Sequence, residues 1–279
     1  MALSSVAYYS NAIVGNPQVG SDIDIYATHA TPHFPVGYGF KRADGNVYRY
    51  CHVGTATNAG NLVGPTTSSG GATYNAVTVV APASAVAVPG ETITAGSAGS
   101  HYIEVTVASI SANKYKGSYF VTTHGTGLGW TYRIKGNTAT NDPATGNLRI
   151  HLYEPLKTAL VASTGSIIVP SMYTDLATTA ITSAQATGVL CSTTTSTYLY
   201  AWACTHGVVG CAEDGTNTVV AGYQVAASTV TTGAYACLYR AGGTVLASSV
   251  AVPIIGYSIT PSASSPEGDR IGAIYLTLE

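Results

Sequence analysis

Apolar and polar residues alternate with a period of two along most of this chain. That is the spacing of a strand whose side chains point to opposite faces of a sheet. In 101–110, Ile103, Val105 and Val107 share one face, while Glu104 and Thr106 share the other. Leu148, Ile150 and Leu152 alternate with Arg149, His151 and Tyr153, and Trp130, Tyr132 and Ile134 alternate with Thr131, Arg133 and Lys135. Residues 47–53 and 271–278 read the same way. Turn signals separate these runs: Asp44-Gly45-Asn46, Gly136-Asn137, Gly146-Asn147, Asp214-Gly215 and Gly242-Gly243. Helical periodicity is nearly absent, and short helical turns are expected only near 154–160 and 171–177. The pattern predicts an all-β chain of β-sandwich or β-barrel units joined by short connections.

Three regions follow from the same pattern. Residues 1–42 alternate little and contain Pro17, Pro32 and Pro35. They read as an extended N-terminal arm, a candidate for reaching a neighbouring subunit. Residues 43–184 form a first β-domain plus a connection, with Ser/Gly/Ala-rich loops at 64–75 and 95–100. Residues 185–279 form a second β-domain. The longest apolar run, 76–88, is broken by Pro82 and is too short to span a bilayer, so no membrane partner is expected. The opening Met-Ala-Leu-Ser-Ser lacks a basic segment followed by an apolar run, which points to synthesis in a cytoplasm.

Composition changes what the surface must be. Of the 279 residues, 46% are apolar and only 9% charged, against roughly 25% charged in an average soluble domain. Thr, Ser, Asn, Gly and Tyr must therefore cover much of the outside. Such a surface is easier to desolvate against a partner than a charged one, and a net charge of −2 does little to keep copies apart. Nucleic acid is not an expected partner, because phosphate binding needs clustered Lys and Arg. The aromatic set is 20 Tyr, 3 Phe and 2 Trp, and Tyr suits both sheets and interfaces.

Candidate chemistry is sparse. Gly125-Thr126-Gly127-Leu128-Gly129 superficially resembles a nucleotide loop, but such a loop opens a helix, and here a strand pattern follows from Trp130. A β-turn is the expectation. Cys204, His206 and Cys211 lie close together, yet a structural zinc site needs a fourth ligand, for which Cys51, Cys191 and Cys237 are equally placed. Free Cys is commonly a small buried apolar residue, and five Cys make no disulfide framework. The seven His, at 29, 33, 52, 101, 124, 151 and 206, include no His-Glu-x-x-His pair. Asp22 and Asp24 lack the further oxygens a calcium loop needs. There is no Gly-x-Ser-x-Gly elbow, and the thirteen acids are unclustered. No catalytic, cofactor-binding or metal residue is assigned, and the chain reads as a non-enzyme without cofactor. Tyr48, Tyr50, Tyr198, Tyr200 and Trp202 alternate as a sugar-binding face would. Cross-strand or interface aromatics are the preferred reading.

Several segments resemble, in order, the virion proteins of tailed bacteriophages of the marine and cyanobacterial type. They are Ala43 to Tyr50 with Gly54-Thr55-Ala56 and Ala59 to Val63; Tyr119 to Gly127 with Thr131 to Ile134; Leu148 to Leu156; and Tyr200-Ala201-Trp202 with Gly207, Cys211 and Asp214-Gly215-Thr216. The closing stretch from Ile255-Gly256-Tyr257 through Gly268-Asp269 to Leu278 is similar to phage head decoration proteins. The resemblance covers most of 40–279 and transfers no catalytic residue. It implies a capsid decoration or cement protein on the virion surface. Such a protein binds the major capsid protein across subunit junctions and associates with itself as a trimer or dimer. A tail or fibre protein with receptor or glycan binding is the alternative, and a depolymerase enzyme a more distant one.

Overall fold

The computed structural model describes residues 18–19, 23–65, 75–79, 96–106, 112–139, 147–161, 164–169, 171–178, 186–215, 219–228, 230–238, 254–261 and 270–279. Among these the chain is all-β, with no helix. It divides into two compact units. A sheet unit joins Met1–Ser69 to Met172–Glu279, and a barrel unit comprises Gly70–Ser171.

In the sheet unit, β1 (Gln18–Val19) pairs in parallel with β2 (Gly39–Lys41), and β3 (Val47–His52) lies between β2 and β13 (Tyr200–Ala212). The register pairs Trp202 with Tyr50, Tyr200 with His52 and Cys204 with Tyr48. The second half of β13 pairs with β17 (Ile271–Thr277), β17 with β16 (Ile254–Ser258), β16 with β14 (Gln224–Ala227) and β14 with β15 (Tyr235–Cys237). On the same edge as β17, opposite β3, the first half of β13 meets β12 (Gly188–Leu190), and β4 (Leu62–Pro65) links β12 to β11 (Leu176–Thr178). β3 and the first half of β13 are buried at both parities, as strands covered on both faces must be. Tyr50 and Trp202 fill one core while Cys51, Ala201 and Ala203 fill another on the opposite face. Trp202 is enclosed by Phe34, Tyr38, Phe40 and Tyr50 at ring separations of 5.2, 6.3, 4.8 and 5.1 Å.

In the barrel unit, six strands close a ring in the order β10 (Gly165–Val169), β5 (Asn75–Val79), β6 (Tyr102–Thr106), β9 (Asn147–Leu152), β8 (Thr131–Asn137) and β7 (Tyr119–His124). All six pairings are antiparallel. The inward residues are those the alternation selects: Ile103, Phe120, Tyr132, Ile134, Leu148, Ile150, Leu152 and Ile168 form one cluster. Burying a side chain of this size contributes roughly 1.5–3 kcal/mol.

Some expectations are corrected. The chain does not divide near residue 184: β3 and β4 belong with the C-terminal strands, and the barrel unit is an insertion between them. Period-two alternation marks a strand but not its partner, and β3 finds its partner some 150 residues on, at Tyr200–His206. No helical turn forms at 154–160, because the N–H groups of Leu156 and Leu160 donate to Ser100 O and Gly96 O rather than within their own segment. Near 171–177 the chain turns and then enters β11, while Tyr173 O and Leu176 O accept from His52 and Gly54. Gly136-Asn137 is the end of β8, not a turn. Gly242-Gly243 and Gly146 lie outside the described residues. Of the expected arm at 1–42, residues 1–17 and 20–22 lie outside the described residues, and 23–42 carry β2 as their one strand. They run along their own unit, where Ile25 and Phe40 are buried.

Candidate interaction surface

The outward face of β13, β17 and β16 has an unusual chemistry. Val208 stands opposite Tyr275, and Tyr275 stands opposite Tyr257. Directly opposed side chains on one face of an antiparallel pair lie close enough to touch, so the three form a row across three strands. All three are exposed, as are Ile271 and Ile259 beside them, Ile271 at 58%. Neither residues 206–212, 254–258 nor 271–277 include a Lys, Arg, Asp or Glu. Gly210 permits the flatness: a Cβ there would come within 2.9 Å of Ile271 Cγ2. The other parity of β17, Ile274 and Leu276, is fully buried. The strand therefore presents an apolar row on each side, and only one is covered by its own unit.

Tyr275 is held in place. Its hydroxyl lies 3.1 Å from His206 Nε2, and His206 Nδ1 lies 2.7 Å from Glu279 O. The two rings meet edge-on at 5.4 Å. The Glu279 carboxylate accepts from Arg49 Nε at 2.8 Å, Tyr173 OH at 2.9 Å and Thr205 Oγ1 at 3.3 Å. An exposed aromatic whose orientation is fixed in advance loses little freedom when a partner covers it.

The residues singled out from the sequence fall elsewhere. A register shift between Cys204 and His206 turns the first inward and the second outward. The Cys204 thiol donates to His206 O at 3.3 Å and is pushed up to about 12 by burial. Burial raises the Cys211 thiol as well. Among the described residues no three His, Cys, Asp or Glu side chains gather as metal ligands. Tyr48, Tyr50 and Trp202 are core residues, so they make no sugar-binding face. Of that row only Tyr198 is well exposed. His29, bridged to Tyr200, lies ring to ring with His33 at 3.8 Å and a tilt of 31°, and the Tyr50 hydroxyl lies 2.9 Å from His29 Nδ1. Burial, and then the neighbouring His33, lower the pKa of His29. Asp24 Oδ1 accepts from Tyr26 N–H in a local turn.

In the barrel unit Gly125 to Trp130 form the turn between β7 and β8. Gly125, Gly127 and Gly129 all have φ near +80°, conformations open to Gly at no steric cost. The Thr122 hydroxyl donates to Gly127 O and accepts from Trp130 N–H. The ordered turn leaves Leu128 67% and Trp130 44% exposed. The alternation puts Trp130 at the parity of Tyr132 and Ile134, but β8 begins at Thr131 and Trp130, still in the turn, is exposed.

Sequence reasoning identified the strands bearing Tyr257 and Tyr275 without marking their outer face. The available signal was Ile271, Ala273 and Tyr275 at one parity against Ile274 and Leu276 at the other. Comparison with protein families, with curated proteins and with solved structures finds no significant match.

Proposed function

We propose that this chain is a structural protein of a bacteriophage virion, a capsid decoration or cement protein with no catalytic role. It would bind the major capsid protein across subunit junctions and contact copies of itself. One observation carries the reading: the uncharged outer row of Val208, Tyr275 and Tyr257, with Ile271 and Ile259 beside it. Interface cores are depleted in charge and enriched in Tyr. A contiguous exposed apolar patch of this kind marks an interaction site. The resemblance of the segments named above supplies the phage setting. Contacts of this kind repeated over a symmetric shell multiply the stabilisation of each interface.

The test is quantitative protein composition of purified virions, together with capsid binding by the Tyr257→Glu/Tyr275→Glu variant. Hundreds of copies per particle and loss of capsid binding by the variant are expected. A chain missing from the virion, or one that turns over host surface polysaccharide, overturns the reading. The second reading, a tail or fibre protein, is favoured by the ordered turn that presents Leu128 and Trp130. A handful of copies per particle would support it instead.

A further inference from the structure

The barrel unit carries a cleft of about 730 Å³ lined by His101, Asn113, Lys135, Thr138, His151 and Tyr153, with Asn137 at its floor. That volume lies in the usual range of small-molecule sites. Two backbone irregularities shape it. The pairing of β8 with β9 shifts between Ile134 and Gly136, so that Ile134 faces Leu152 while Gly136 faces His151. Lys135 is the extra residue of this bulge, and bulges re-aim side chains. Asn113, at φ 60°, is one of two non-glycine residues with positive φ among those described. Its carboxamide lies over Gly136, where a Cβ would come within 2.7 Å of Asn113 Oδ1. The floor is fixed by hydrogen bonds: Asn113 N–H donates to Asn137 O at 2.9 Å, Tyr115 N–H to Asn137 Oδ1 at 2.8 Å, and Asn137 Nδ2 to Thr138 O at 2.7 Å.

The charge of the cleft is one-sided. Its lining holds one ammonium and two imidazoles and no carboxylate. Residues 70–171 carry six Lys or Arg against four Asp or Glu, while the rest of the chain carries five against nine. Of the nearby carboxylates, Glu104 is engaged by Arg149 at 2.6 Å and Glu154, outside the lining, accepts from Arg133 N–H at 3.3 Å. At the rim, the half-exposed Tyr153 ring has the Arg133 guanidinium 5.5 Å from its centre.

We propose that this cleft binds an acidic saccharide. Lys135 would pair with the sugar carboxylate, a charge-assisted contact. Asn113, Thr138, His101 and His151 offer donors and acceptors to hydroxyl groups, and Tyr153 offers apolar ring surface to the C–H face of a pyranose. Peptide recognition by strand addition needs a free sheet edge, and the closed ring leaves none. Nucleic acid needs several cations along a backbone, and a single Lys lines the cleft. The proposal does not depend on the virion reading.

The probe is tetragalacturonate, titrated into the full chain at low salt and followed by calorimetry, with neutral galactotetraose and tetraglutamate as comparisons. Saturable binding of tetragalacturonate is expected, at least about tenfold tighter than either comparison and weakening as salt is added. Lys135→Ala should weaken it about tenfold at an unchanged melting temperature, the loss of one charged hydrogen bond. Lys157→Ala, a cation outside the lining, should leave it unchanged. If Lys135→Ala melts lower, His151→Ala reads the same cleft from β9 and should weaken binding. The proposal is overturned by absent binding, by equal binding of galactotetraose, by equal binding of tetraglutamate (a general carboxylate site), or by lining variants that bind as the parent does.

Discussion

Thiols set the chemistry of the interior at the level of single residues. Cys51 is fully enclosed between sheet layers and donates to Ala201 O at 3.3 Å, and burial pushes it up to about 12 from an ordinary value of 9.0. Cys204 is pushed to the same value by the same cause. Tyr235 moves in the same direction, through burial first and then its 2.7 Å bond to Glu213. The sign follows from linkage: a group that stays protonated in the fold but ionises in the unfolded chain favours unfolding as pH rises. Its contribution is whole below about pH 9 and is lost as pH climbs toward about 12. The urea midpoint should therefore hold steady near neutral pH and fall from about pH 9 upward. Cys51→Ala should make that fall shallower. An alkaline slope equal to the parent's would mean that Cys51 is not enclosed as described.

Strand pairing is decided by glycine at places where a side chain has no room. Gly256 in β16 lies so close to β17 that an added Cβ would collide with the Tyr275 carbonyl oxygen. Backbone cannot move aside as a flexible side chain can, so Gly256→Ala should separate β16 from β17. The expected cost is about 1–3 kcal/mol, the usual penalty of overpacking, read as a lower urea midpoint. Gly222→Ala, where a Cβ meets nothing within 4 Å, isolates the effect of backbone strain, because φ is +82° there. Gly256 itself has no positive φ, so a loss there reports the collision, and a Gly256→Ala variant with the parent's urea midpoint would show that β17 makes room for the methyl group. The strands themselves were legible, because Leu148, Ile150 and Leu152 alternate cleanly and a sheet face must be apolar to be buried. Partner choice was not. Turn residues announce only neighbours in sequence, whereas β3 pairs across the whole inserted barrel. The bulges at Lys135 and before His206 were also invisible. One extra residue reverses facing without altering composition, and so the cleft and the split of Cys204 from His206 emerge only in three dimensions.

For the molecule as a whole, sparse charge makes association a matter of apolar and hydrogen-bonded surface. A formal charge of −2 over 279 residues provides little repulsion between copies. The outer strands of the sheet unit contribute none, since residues 206–212, 254–258 and 271–277 are uncharged at neutral His. Self-association through the Val208, Tyr275 and Tyr257 row should then respond to salt opposite to an ion-paired contact. Sodium chloride screens exposed charges beyond about 10 Å at 0.1 M and leaves apolar burial in place. Sulfate, excluded from protein surface, strengthens burial. In sedimentation velocity at fixed protein concentration, the oligomer fraction should hold constant between about 0.05 and about 0.5 M sodium chloride, where screening is already strong, and rise in ammonium sulfate. The Tyr257→Glu/Tyr275→Glu variant should sediment as a monomer in both, because each contact would then bury carboxylates without partners. An oligomer that dissolves as sodium chloride rises would instead assign the contact to paired charges, and a variant that still associates would move it off the outer face of β16 and β17.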